Sequence, residues 1–65
     1  MINIITSEQA SKIIENRIPL GQFLLLEKGS FVAIDNQTGN AWTEDFTTLD
    51  KCLRYLQGED LDEIN

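Results

Sequence analysis

The chain has 65 residues, with 11 acidic and 5 basic side chains and no histidine, so its formal net charge is −6. This length limits it to one domain, and a hydrophobic content of 42% is typical of a globular domain. Without histidine, and with Cys52 as the one cysteine, the sequence excludes Ser-His-Asp and Cys-His catalysis, His- or multi-Cys metal sites and an internal disulfide. A small acidic domain remains.

The location expected from the sequence is the cytoplasm. No basic region precedes the first apolar residues, and the stretch is too short for a signal peptide. The longest apolar run, residues 23–26, falls far short of the ~18 residues of a membrane span. The net acidity also disfavours nucleic acid and anionic membranes as partners, so we expect neither.

A first helix is predicted over residues 7–17. Thr6 is a good N-cap, and Gln9 three residues later completes a capping-box pattern. Apolar residues then recur at helical spacing: Ala10, Ile13, Ile14 and Ile18. Pro19 ends the pattern, because the residue before a proline is pushed out of the helical region.

Three strands follow, over residues 22–27, 31–34 and 41–44. They are separated by turn-forming segments at 27–30 and 35–40, with glycine supplying the positive φ of the first turn. Connections this short join neighbouring antiparallel strands. The pattern therefore predicts a three-stranded antiparallel meander.

A second helix is predicted to begin at Thr47, which has capping-box spacing to Asp50. It carries a clean apolar stripe: Leu49, Cys52, Leu53 and Leu56. Gly58 is a C-terminal stop signal. The predicted fold is thus α+β, with order α-β-β-β-α and two amphipathic helices packed on the meander.

The charge divides the chain into a domain over residues 1–58 and an acidic tail over residues 59–65. The first part holds seven acids and five bases, a net charge of −2, and the tail holds the remaining −4. We expect the tail to be a solvated, frayed terminus, with a partner-binding or nucleic-acid-mimicking segment as the alternative.

The strands are apolar on both faces, whereas a sheet with one solvated face alternates apolar and polar residues. Either helices on opposite faces or a second chain must cover the extra face. A chain this small buries little surface on its own, so we favour a homodimer. The candidate interface residues for a second copy or another partner are Leu24, Leu26, Val32, Ile34, Trp42 and Tyr55.

Few residues suggest chemistry. Cys52 lies on the apolar stripe of the second helix and is read as a buried small hydrophobe. Four carboxylates, Asp35, Glu44, Asp45 and Asp50, match no calcium-loop pattern and are explained by turns and helix capping. Trp42 could line a binding surface, with core packing in its short strand as the favoured alternative. We therefore expect no catalytic residues, no metal and no cofactor.

The segment from Phe31 to Phe46, with Ile18 to Phe23 upstream and Leu49 to Leu56 downstream, resembles small proteins of Bacillus and its prophages that have no assigned activity. A more local likeness joins Ile34 to Gly39 and Leu49 to Leu56 to the C-terminal part of the SUKH superfamily of toxin-immunity proteins. These resemblances imply a phage-linked context and place an inhibitory role among the alternatives.

The function expected from the sequence is a non-enzymatic protein-interaction module, homodimeric and linked to a prophage or mobile element, with a host or toxin protein as a possible partner. The alternative is an acidic inhibitor or immunity protein that binds a toxin or a nucleic-acid-binding protein. The charge of −6 is the basis of that alternative.

Overall fold

A computed structural model describes residues 2–64 of the chain. The strands are β1 (Ile2–Ile4), β2 (Gly21–Glu27), β3 (Ser30–Asn36) and β4 (Trp42–Phe46), and the helices are α1 (Ser7–Asn16), α2 (Leu49–Leu56) and α3 (Leu61–Ile64). The α+β class is confirmed. The predicted count of three strands and two helices is wrong, because β1 and α3 lie outside the predicted elements.

The strands form one sheet in the order β1-β2-β3-β4. The predicted meander is present as β2, β3 and β4, which pair antiparallel. β1 pairs parallel to β2, with Ile2 opposite Gln22 and Ile4 opposite Leu24. A parallel pair needs a crossover, and α1 provides it, so the chain begins with a β-α-β unit.

Both longer helices begin at threonine caps. The Thr6 side chain accepts from the Gln9 N–H at 3.2 Å, and the Gln9 side chain accepts from the Thr6 N–H at 3.0 Å, which confirms the capping box. α1 ends at Asn16 because Arg17 adopts the left-handed conformation, with φ of 62°. The predicted cap Thr47 is wrong by one residue: Thr48 caps α2 and accepts from the Lys51 N–H.

Two hydrophobic clusters lie on opposite faces of the sheet. On the α1 face, Phe23 and Leu25 of β2 and Ile34 of β3 pack with Ala10 and Ile13. The other face is covered by α2 and α3, whose Cys52, Leu56 and Ile64 pack on Leu24, Ala33 and Phe46. The predicted reason for a dimer, a sheet face without helices, is therefore absent from residues 2–64.

The acidic tail folds back on the domain as far as it is described. Ile64 is 4% exposed and belongs to the cluster on the α2 face, with Leu61 packed against it. Arg54 and Glu59 form an ion pair at 2.8 Å just before α3. Residues 59–64 are thus anchored by apolar contacts rather than frayed into solvent. Within residues 2–64, no helix has the length and apolar character needed to cross a membrane.

Candidate interaction surfaces

The six predicted interface residues do not form one surface. Cross-strand pairing places Leu24 and Leu26 on the α2 face, whereas Val32 and Ile34 lie on the α1 face. Leu24, Val32 and Ile34 are also buried within the chain. The six residues therefore have no common face, and their part in an interface stays a prediction.

The exposed members of that set are Leu26 and Trp42, at 67% and 61%. Tyr55 is half-buried and packs its ring on Phe46, with ring centroids 5.5 Å apart. The expectation that Trp42 packs in the core is wrong, because its strand lies at the sheet edge and leaves the indole open to solvent. Leu26 and Trp42 remain free to contact another molecule.

The α1 face carries a groove, called here the α1 groove, with a volume of about 410 Å³. It exists because α1 packs over β2 and leaves the β3 and β4 side of this face without a helix. One wall is the α1 stripe of Ser7, Ala10, Ser11 and Ile14, the floor is Leu25, Val32 and Ile34, and Thr43 and Asp45 of β4 lie opposite.

The groove combines an apolar floor with a polar rim. Hydroxyl groups come from both α1 and β4, and charges are supplied by Glu27 and Lys28 at one end and by Asp45 on the wall. Ile14, 41% exposed, stands on the α1 wall beside the opening. A groove with an exposed apolar side chain at its border can receive an apolar element and place one in return.

The second surface is the outer edge of β4, Trp42–Phe46, called here the β4 edge. β4 is the last strand of the sheet, and no described residue pairs with its outer side. Along β4 the side chains alternate: Trp42 and Glu44 lie on the α2 face, and Thr43 and Asp45 on the α1 face. The edge therefore offers free backbone groups between two carboxylates and an exposed indole.

The carboxylates near this edge contribute to a raised pKa of the Tyr55 hydroxyl. Burial raises the pKa of the Tyr55 hydroxyl first, and the negative charges of Glu44 and Asp35 raise it further. Asp35 is the cross-strand partner of Trp42, so it belongs to the same end of the α2 face. Trp42, Tyr55, Asp35 and Glu44 thus form an acidic and aromatic patch beside the free edge.

A buried junction that the sequence did not indicate lies at the end of β3, next to the acidic and aromatic patch. Asn36 is 0% exposed, and its Nδ2 donates to the carbonyl oxygens of Arg17 and Pro19, each at 2.9 Å. Its Oδ1 accepts from the Ala41 N–H at 3.1 Å. Asn36 sits among turn-forming residues, where asparagine is expected for local reasons, so nothing in the pattern distinguishes it.

Arg17 reinforces this junction from the surface. Its guanidinium donates to the carbonyl oxygen of Asn40 at 2.6 Å and to that of Ile14 at 2.8 Å. The end of α1 is thereby tied to the turn between β3 and β4. These bonds connect the helix that forms one wall of the α1 groove to the turn that leads into the strand of the other wall.

The remaining candidates for chemistry are Cys52 and the four carboxylates. Cys52 is fully buried, and burial raises the pKa of its thiol, which disfavours the reactive thiolate. Among residues 2–64 no group of three or more acidic, histidine or cysteine side chains is placed to hold a metal ion. Asp35 and Glu44 approach Tyr55, whereas Asp45 points to the other face and Asp50 lies in the first turn of α2.

Comparison with known proteins returned no match: no family model, no curated protein and no solved structure resembles the chain closely enough to be significant.

Proposed function

We propose that this chain is a non-enzymatic protein-interaction module of the cytoplasm that works as a homodimer. The observation that carries the proposal is the α1 groove, where one helix covers half of a sheet face and an exposed isoleucine stands beside the uncovered half. The occupant we assign to the groove is a second copy of the chain.

The groove suits a second copy because its two complementary parts lie on one face. In a two-fold dimer the same patch of each copy contacts that of the other, so a protruding side chain and the recess that receives it must lie on the same patch. Ile14 of each copy would enter the groove of the other, over Val32 and Ile34. Lys28 and Asp45, both on the rim, would then provide contacts of opposite charge between copies.

The experiment is sedimentation equilibrium on the full chain and on Ile14→Lys. We expect a dimer for the native chain and a monomer for Ile14→Lys, since a charge in the apolar groove of the partner would be unpaired. Ile18→Lys is the matched control: Ile18 is also exposed, at 66%, but lies outside the α1 groove. A monomeric native chain, or an Ile14→Lys variant that remains dimeric, would contradict the proposal.

The link to a prophage or mobile element rests on the resemblance of residues 18–57 to small proteins of Bacillus and its prophages. Its test is the set of neighbouring genes. An adjacent integrase, recombinase or toxin gene supports the link, and an operon of housekeeping enzymes contradicts it.

The second candidate function is an acidic inhibitor or immunity protein, and the ordered tail favours it. Mimicry of nucleic acid needs charges at fixed positions. α3 provides them, because Ile64 is buried while Asp62 and Glu63 remain exposed.

Deleting the tail would be a poor test, because it would also uncover the apolar cluster that Ile64 completes. The better variant replaces three acids with their amides: Asp60→Asn, Asp62→Asn and Glu63→Gln. Inhibition of a candidate toxin or nuclease should then fall while the fold, followed by circular dichroism, is unchanged. Full inhibition by this variant would count against the tail as the binding element.

A further inference from the structure

We infer that the β4 edge binds a basic, extended segment of another protein, which adds a fifth strand to the sheet. The inference rests on the proposed role as a protein-interaction module and names a different partner. The β4 edge shares Thr43 and Asp45 with the α1 groove, whereas Trp42 and Glu44 lie on the α2 face outside it. It has three supports: a free strand edge, the charges on both sides of that edge, and the exposed Trp42.

The first support is the backbone. β4 has five residues and lies at the end of the sheet, and no described residue hydrogen-bonds to its outer side. Exposed edges of this kind pair readily with an extended peptide, whose main chain supplies the hydrogen bonds. The edge at the other side of the sheet, β1, has three residues and no charged side chain, so it offers a shorter and chemically different edge.

The second support is charge, which selects the partner. Glu44 lies on one face of β4 and Asp45 on the other, so a fifth strand would meet a carboxylate on each of its faces. Two copies of β4 paired with each other would bring these carboxylates close together, which destabilises a sheet. A strand with adjacent basic residues would instead place one cation beside Glu44 and the next beside Asp45.

The third support is Trp42. Its side chain is 61% exposed on the same face as Glu44, and aromatic side chains are enriched at protein interfaces. An arginine or lysine of the added strand can lie over the indole and reach Glu44 or Asp35 at once, since the ring face attracts cations. The patch therefore selects a basic segment over a neutral one.

The probe is a synthetic peptide with capped ends, Thr-Val-Lys-Arg-Val-Thr, titrated into the isotopically labelled full chain. We expect saturable binding with a dissociation constant below about 1 mM. The chemical-shift changes should be concentrated in the backbone amides of residues 42–46 and in the Trp42 indole N–H. Glu44→Gln should weaken binding about tenfold, whereas Glu8→Gln, an exposed acid on α1, should leave it unchanged.

Two control peptides separate strand addition from general attraction between charges. Methylating alternate backbone nitrogens keeps the positive charge but removes the donors that an edge needs, and should abolish binding. Replacing Lys-Arg with Glu-Asp should also abolish binding to the native chain, and Glu44→Lys combined with Asp45→Lys should restore it.

Absence of binding by the basic peptide, equal binding of the methylated peptide, or shifts spread over other acidic regions would overturn the inference. Glu44 lies on the α2 face, outside the α1 groove, so Glu44→Gln tests the edge without changing the residues of the proposed dimer contact, and Ile14→Lys tests the dimer without changing β4. Failure of the edge proposal and failure of the homodimer proposal are therefore distinguishable.

Discussion

Asn36 connects three segments of backbone through one buried side chain. Its two donors bind the carbonyl groups of Arg17 and Pro19, and its acceptor binds the N–H of Ala41. Such a junction fixes the loop after α1 against the turn before β4. An unpaired polar group in the interior is costly, so the side chain stabilises the fold mainly by preventing that cost.

We expect Asn36→Ala to lower the free energy of unfolding by about 3 kcal/mol, because it leaves two carbonyl groups and one N–H without a partner. Urea unfolding measures the change. Asn16→Ala, at an exposed position of α1, serves as the control and should change stability by less than about 0.5 kcal/mol. Equal midpoints for the two variants would show that water replaces the lost bonds.

Cys52 gives a second prediction at this scale. The thiol is fully buried and its pKa is raised by burial, so the native chain should react slowly with a thiol reagent such as Ellman's reagent. In urea the reaction should be rapid and stoichiometric. Rapid labelling of the folded chain would contradict the burial of α2 against the sheet and would reopen the question of a reactive thiol.

At the scale of elements, the connection between α2 and α3 contains an ion pair whose contribution to stability depends on pH. The hydrogen bond from Arg54 lowers the pKa of Glu59 below its ordinary value. The folded state therefore binds this proton less tightly than the unfolded chain. The pair stabilises the folded state at neutral pH, and this contribution is lost as the pH falls through the lowered pKa.

The prediction is tested by comparing the melting temperatures of the native chain and of Glu59→Gln at several pH values. Glu59→Gln should melt below the native chain at pH 7, and the difference should shrink toward zero as the pH falls through the lowered Glu59 pKa. Glu15→Gln, which changes an exposed glutamate outside the pair, should not show this dependence. The effect is small because both side chains of the pair are one-third exposed. A difference that persists at low pH would contradict the linkage.

The elements that the sequence predicts well are those with strong local signals. The capping box at Thr6 and Gln9, the turn at Lys28 and Gly29, and the Cys52 and Leu56 stripe all act within a few residues, and each is found close to its predicted position. β1 was missed because three residues show no period, and its pairing with β2 depends on residues about twenty positions away. α3 was missed because its acidic composition outweighed two apolar residues.

The candidate surfaces depend on packing, which the pattern of one strand cannot reveal. Two-faced strands correctly indicated that both faces are covered. They did not indicate that α1 would lie to one side and leave a groove, nor that Trp42 would stand at an edge. Those facts follow from the sheet order, which is set by the parallel placement of β1.

At the scale of the whole molecule, the homodimer should make stability depend on concentration. Association that requires the folded chain stabilises it by mass action, so the melting temperature should rise with protein concentration. Ile14→Lys should remove that dependence, and Ile18→Lys should keep it. A melting temperature that is constant over a wide range of concentrations would argue for a monomer.

Ile2 and Ile64, near the two ends of the chain, pack in the same cluster on the α2 face. Segments that pack in one cluster can be joined by a short linker, and the backbone can be opened instead at an exposed turn. The turn at Lys28 and Gly29 is such a place, since both residues are exposed. The described segment is thus a candidate for circular permutation, in which the order of synthesis changes and the β4 edge is kept, while Lys28 on the rim of the α1 groove comes to lie at a new terminus.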